Sequence, residues 1–185
     1  MRKRFQFIFL LLSSSFLGFS QNCEDIIEDS VSYSTSMIYE DVVELMYTYS
    51  DVLSVDILGY SEFGQAIPLL KIEDSSFYGN KKPVLFVANI HAREFYSSKF
   101  LMKFTNHFLM SLSNDSCTYN EASKYLKEYS FYIIPLANPD GLKIAQQDWV
   151  GIEKHRVDVD KIKRIGPYSD WKANGKGIDL NNNFD

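Results

Sequence analysis

A histidine and a glutamate stand three residues apart directly after an apolar run, at His91 and Glu94 in "FVANIHAREFYSS". Imidazole nitrogen and carboxylate oxygen are both ligands that protein zinc sites use. If the apolar run is a strand, both side chains lie at its carboxyl end, where open α/β folds place their ligand crevice. The spacing also arises by chance, with an incidental ion pair between Glu94 and Arg93, so the pair alone permits a metal site without requiring one.

The other histidines and the cysteines are weaker candidates. His107 falls inside a predicted helix and is expected to pack or to face solvent, and His155 lies in the polar loop "EKHRVD" and is expected to be exposed. Lone histidines without partners are rarely ligands. Cys23 and Cys117 show no CxxC spacing and therefore do not indicate a zinc site; in an exported protein they either pair or remain free.

The hydrophobic pattern predicts helices and a hairpin around the histidine–glutamate pair. Apolar residues at helical spacing predict helices over 37–49 and 97–112, and a shorter one is expected over 122–128. Alternating apolar and polar residues predict two strands, over 52–60 and 68–73, joined as a hairpin.

Two continuous apolar runs, over 83–90 and 129–136, predict strands that are buried on both faces. The second run is followed by "ANPDG" at 137–141, which predicts a turn. Residues 143–176 are polar and irregular in pattern. The order strand, helix, strand predicts an α/β fold with a mixed, partly parallel sheet sandwiched by helices.

Residues 1–20 have the three parts of a secretory signal peptide. They contain the positive start "RKR", an apolar stretch, and the small residues Gly18 and Ser20 before the expected cleavage point. The apolar stretch is shorter and richer in serine than a membrane span of ~20 apolar residues. We therefore expect export with cleavage, a secreted or periplasmic location, and no stable membrane span afterwards.

Composition limits the remaining function classes. The chain of 185 residues is 45% hydrophobic and carries a net charge of -5, which fits one globular domain plus a leader. No basic block follows Arg4, so a nucleic-acid partner is not expected. We divide the mature chain into a helical lead-in over 21–49 and a main domain over 50–185.

Four motifs in a fixed order resemble the zinc metallocarboxypeptidase family, which includes carboxypeptidase A. They are the hairpin "GYSEFGQAIPLLKI" at 59–72, "NIHARE" at 89–94, "LANPDG" at 136–141, and "GIDLNNNF" at 177–184 after a loop with "WKANGKG". The pattern is most similar to the bacterial branch that cuts peptidoglycan stem peptides such as γ-D-glutamyl–diaminopimelate. The resemblance implies a zinc carboxypeptidase-like fold and a peptide substrate hydrolysed with one Zn²⁺ ion.

The resemblance also implies roles for individual residues. His91 and Glu94 would be two of three zinc ligands, and Arg93 would line the groove and meet a substrate carboxylate or carbonyl. Asn181 matches the asparagine that holds the terminal carboxylate of the substrate. Lys172 lies near the place of a carbonyl-polarising arginine, and it is either a replacement for that arginine or a solvated loop lysine.

Asn182 departs from the family pattern, which usually reads N-R-N-F. The family arginine clamps the free carboxylate of the substrate, whereas Asn182 is neutral and offers no charge-assisted fork. The sequence therefore leaves three alternatives open. The protein cleaves within peptides as an endopeptidase, or it acts on peptides with an amidated C-terminus, or it has no substrate of this kind.

The family places its third ligand, a histidine, and its general base, a glutamate, further along the chain than this motif, so both are expected beyond Asp185. No catalytic residue is therefore assigned within residues 1–185. We expect these residues to be the N-terminal portion of a longer enzyme or the product of an early stop, with the fold incomplete at the C-terminus and no activity alone. The alternatives are a secreted, non-catalytic relative that binds peptide or glycan, and a zinc deacylase of the same fold.

Overall fold

A computed structural model describes residues 27, 31–74, 76, 79–112, 119–163 and 165–182. The helices are α1 (Thr35–Thr48), α2 (Phe95–Ser111), α3 (Tyr119–Glu128), α4 (Pro139–Ala145) and α5 (Arg156–Ile162). The strands are β1 (Leu53–Tyr60), β2 (Ala66–Ile72), β3 (Lys82–Val87) and β4 (Tyr129–Ile134). Short 3₁₀ turns lie at Glu153–His155, Tyr168–Asp170 and Leu180–Asn182.

Three of the sequence-based predictions concern residues outside these ranges. They are the leader over 1–20, the pairing of Cys23 with Cys117, and the boundary at Asp185 beyond which the general base is expected. Asp185 is not among the described residues, which reach residue 182. These three statements therefore stay predictions.

The sheet has the strand order β1-β2-β4-β3. β1 pairs with β2 and β2 with β4 in antiparallel fashion, whereas β3 and β4 run parallel. The parallel pair is connected through α2 and α3, as parallel strands require a crossover. The predicted mixed, partly parallel sheet is therefore confirmed.

The three longest helices share one hydrophobic core with the sheet. α1 begins at the N-cap Ser34, whose hydroxyl accepts a hydrogen bond from the Met37 amide. Its buried residues Ile38, Val42 and Leu45 repeat at the spacing that places side chains on one face of a helix. The other buried members of this core include Leu53, Leu70, Ile72, Leu101, Met102, Leu109, Ala122, Leu126 and Ile133.

The prediction that two strands are buried on both faces was wrong for the described part of the chain. β3 lies at the edge of the described sheet, and Leu85 and Val87 are 59% and 41% exposed. In β4 only Ser130 and Ile133 are buried. A continuous apolar run reports the character of the side chains, whereas burial depends on which elements cover each face.

The predicted turn at "ANPDG" is instead the beginning of α4. Asn138 is the N-cap, its side-chain oxygen accepts a hydrogen bond from the Gly141 amide, and Pro139 occupies the first turn. Proline fits there because the first amides of a helix have no intrahelical acceptor. None of the helices in the described ranges is long and apolar enough to cross a membrane.

Candidate metal site

His91 and Glu94 lie on the tight turn that connects β3 to α2. The turn is closed by a hydrogen bond from the Glu94 amide to the His91 carbonyl at 3.0 Å. Asn89, just before it, has a positive φ of 56°, a conformation that asparagine tolerates better than most residues. The buried Asn89 amide donates hydrogen bonds to the carbonyls of His91 and Ala92 at 3.3 and 3.2 Å. Its backbone amide donates to the Ser97 hydroxyl at 3.0 Å. These bonds hold the turn against the start of α2.

The two ring nitrogens of His91 face different carboxylates. Nδ1 lies 3.0 Å from Oε1 of Glu94, and Nε2 lies 3.5 Å from Oδ1 of Asp179. The His91 side chain is 17% exposed, whereas Glu94 is 50% exposed and Asp179 32%. Asp179 was not predicted, because its proximity to His91 depends on the tertiary fold.

Asp179 also organises the asparagines that follow it. The Asn181 backbone amide donates to Asp179 Oδ1 at 3.1 Å, and the Asn182 side chain donates to Oδ2 at 2.9 Å. Both asparagines are exposed. The structure therefore connects the predicted substrate residues to His91 through Asp179, and the Asn182 amide uses one donor on that carboxylate.

The donor set fits part of a zinc site. His91 Nδ1 and Glu94 Oε1 are a nitrogen and an oxygen of the kinds that zinc binds, and they lie close together on an ordered turn. Within the described ranges no group of three or more His, Cys, Asp or Glu residues is placed to hold a metal ion. The described residues thus offer two converging ligands rather than a closed coordination set.

Arg93 lies on this turn, and Lys172 lies on a loop that contacts it. The Arg93 side chain is exposed. The Lys172 side chain is exposed as well, and its backbone carbonyl accepts a hydrogen bond from the Ala92 amide at 3.0 Å. The prediction that His155 is exposed was wrong, since its half-buried ring stacks on Phe63 with centroids 3.8 Å apart. His107 is exposed on α2, as expected.

Asp140, in the first turn of α4, forms buried hydrogen bonds that the sequence did not indicate. It is 1% exposed and accepts hydrogen bonds from the Ser61 hydroxyl at 2.6 Å and the Phe63 amide at 2.9 Å. Burial raises the pKa of Asp140 above its ordinary value, although these two bonds and the charge of His155 lower it. Burial and, second, the charge of Asp140 raise the pKa of Tyr39 to about 12.

The chain matches the profile of the zinc carboxypeptidase family over residues 38–185. It is 26% identical over 164 residues to γ-D-glutamyl-L-diamino acid endopeptidase 1 of Lysinibacillus sphaericus, which covers 86% of this chain and 39% of that protein. It is 33% identical over 127 residues to carboxypeptidase B of Astacus astacus, which covers 66% of this chain and 39% of that protein.

Among solved structures, the fold is similar to that of a metallo-carboxypeptidase from Burkholderia cenocepacia. The TM-score is 0.58 at 20% identity, with 80% of this chain and 32% of that chain covered. At this identity the likeness shows the fold. The chain spans about two fifths of the length of the two curated relatives.

Proposed function

The chain belongs to the zinc carboxypeptidase family, and we propose that it supplies His91 and Glu94 as two zinc ligands of a metallopeptidase that hydrolyses extracellular or cell-wall peptides. The observation that carries this proposal is the 3.0 Å approach of His91 Nδ1 to Glu94 Oε1 on the turn after β3. A family that depends on zinc needs such a pair of ligands on a rigid element.

Asp179 would orient the His91 ring for zinc binding. Nε2 of His91 lies 3.5 Å from the Asp179 carboxylate, so we infer that zinc binding at Nδ1 would leave the hydrogen on Nε2, directed toward Asp179. Carboxylates in this position fix the tautomer of a ligating histidine and raise its basicity. When bound, zinc supplies polarisation of a peptide carbonyl and activation of a water molecule.

We propose that the third zinc ligand and the general base come from a part of the full-length protein other than the described residues. The described residues bring two candidate ligands together, His91 and Glu94, and the chain covers 39% of each of two curated relatives. A carboxylate general base would accept the proton of the attacking water. In this proposal both groups lie outside the described residues, which would then be inactive by themselves.

Substrate contacts are assigned to the exposed residues around the turn. Arg93 would meet a carboxylate or carbonyl of the peptide, Asn181 would hold its terminal group, and Lys172 would add a positive charge at the rim. Asn182 is neutral and donates to Asp179, so it offers a weak clamp for a free C-terminal carboxylate. An endopeptidase specificity toward peptides such as peptidoglycan stem peptides is consistent with that feature and with the bacterial endopeptidase relative.

The decisive test is the zinc content and peptidase activity of the full-length gene product. Wild type is expected to bind about one zinc ion per chain and to hydrolyse peptides, since the family site is mononuclear. His91→Ala and Glu94→Ala are expected to lose both properties, whereas the matched control His107→Ala retains them. Zinc binding without hydrolysis of any peptide would favour the alternative, a secreted peptide- or glycan-binding relative. Hydrolysis of acyl-amino acids alone would favour a deacylase.

A further inference from the structure

The amide of Asn138 connects the two backbone segments that surround the candidate metal site. Asn138 is 2% exposed, and its Nδ2 donates to the carbonyl of Ile90 at 3.2 Å and to the carbonyl of Ala173 at 3.1 Å. Ile90 directly precedes His91, and Ala173 directly follows Lys172. One side chain therefore holds the turn with the metal ligands and the loop with the rim lysine at once.

Two further contacts show how closely these segments are packed. The Ala92 amide donates to the Lys172 carbonyl at 3.0 Å. A Cβ atom on Gly141 would lie 2.5 Å from the Ala173 carbonyl oxygen and 2.6 Å from the Asn138 amide. The absence of a side chain at Gly141 is thus what lets the loop approach the first turn of α4.

Both the oxygen and the nitrogen of the Asn138 side-chain amide form hydrogen bonds. Its Oδ1 accepts from the Gly141 amide at 3.1 Å and caps α4, while its Nδ2 donates to the two carbonyls. Aspartate and serine can also cap a helix, but neither can supply two donors from one nitrogen. An aspartate would place a carboxylate oxygen, which cannot donate a hydrogen bond, against the carbonyl oxygens of Ile90 and Ala173. The capping role and the connecting role can therefore be separated by mutation.

We propose that Asn138 is a positioning residue that fixes the backbone on both sides of the metal-ligand turn and so sets the zinc affinity of His91 and Glu94. This inference rests on the proposed function, because it concerns the same two ligands. Loss of the Nδ2 donors would release the Ile90 and Ala173 carbonyls together, and His91 would sample orientations in which its Nδ1 no longer faces Glu94.

The test compares Asn138→Asp and Asn138→Ser with wild type in the full-length gene product. Both variants keep a residue that caps α4 and lose the two donors. Zinc affinity, measured by competition with a chelating dye, is expected to fall by about 10-fold, the lower end of the effect of removing a partner that contacts a ligand directly, because Asn138 acts on the backbone beside the ligands. Hydrogen exchange at the Ala92 amide is expected to be faster in both variants.

Ser34→Ala provides the matched control. Ser34 caps α1, so this variant loses a helix cap outside the turn and is expected to keep wild-type zinc affinity. A zinc affinity for the Asn138 variants equal to that of Ser34→Ala would overturn the positioning role. If wild type itself binds no zinc, the proposed function fails, and the exchange rate of the Ala92 amide then decides the role of Asn138: unchanged exchange contradicts it.

Discussion

His91 lies between two carboxylates, with Nε2 3.5 Å from Asp179 and Nδ1 3.0 Å from Glu94. The two carboxylates differ in their surroundings. Asp179 accepts hydrogen bonds from the Asn181 amide and the Asn182 side chain, whereas Glu94 is half-exposed. Asp179 is therefore suited to orient the ring, and Glu94 is the carboxylate that is available to share a metal ion with Nδ1.

This arrangement predicts that Asp179→Ala lowers zinc affinity in the full-length gene product by roughly 10- to 100-fold, as loss of the carboxylate partner of a ligating histidine usually does. The ring would lose the carboxylate that lies 3.5 Å from its Nε2. Competition with a chelating dye measures the effect. Asp158→Ala, which removes an exposed aspartate paired with Lys161 on α5, is the control. Equal zinc affinities for the two variants would refute the orienting role of Asp179.

Asp140 is predicted to make stability depend on pH in a specific direction. Its pKa is raised in the folded state, chiefly by burial, so the folded protein binds the proton more tightly than the unfolded chain does. The corresponding stabilisation is complete below the unfolded pKa of about 3.9 and is lost as pH rises through the higher folded value. The stability advantage of wild type over Asp140→Asn is therefore expected to shrink over that interval.

Denaturant unfolding at a series of pH values checks this prediction. The difference between wild type and Asp140→Asn isolates this carboxyl from the other acids, although Glu62 and His155 also face it. Asp140→Ala removes both acceptors and is expected to cost about 1–3 kcal/mol, because the Ser61 hydroxyl and the Phe63 amide are left without that partner. If the stability advantage of wild type over Asp140→Asn grew as the pH rose, the predicted direction would be contradicted.

Asn182→Arg is predicted to increase the preference for peptides with a free C-terminal carboxylate. A guanidinium group can form a bidentate, charge-assisted contact that an amide cannot. The ratio of kcat/KM for free over amidated peptides is expected to rise by about tenfold, near the lower limit for a hydrogen bond to a charged group. Asn182→Lys, which adds charge without the fork, is expected to give a smaller rise. If Asn182→Arg left this ratio unchanged, residue 182 would not contact the C-terminal carboxylate of the substrate.

Local features of the fold could be predicted from the sequence, because they depend on residues close together in the chain. The spacing of Ile38, Val42 and Leu45 predicts α1, and alternation predicts the hairpin of β1 and β2. His91 and Glu94 are adjacent for the same reason: three residues across a tight turn leave little freedom.

Features that depend on distant segments were missed. The contact of Asp179 with His91, and those of Asn138 with Ile90 and Ala173, join segments that are far apart in the sequence. The start of α4 at "NPDG" could have been predicted from the sequence, since an asparagine followed by proline is typical of a helix start. The exposure of Leu85 could not be read from its own segment, because neighbouring elements decide it.

The zinc content of the purified full-length gene product and of its His91→Ala, Glu94→Ala and His107→Ala variants tests the metal-site assignment most directly. About one zinc ion per chain is expected in wild type and in His107→Ala, and a clear loss is expected in the two ligand variants. Retention of zinc in both His91→Ala and Glu94→Ala would contradict the assignment of this turn as the metal site.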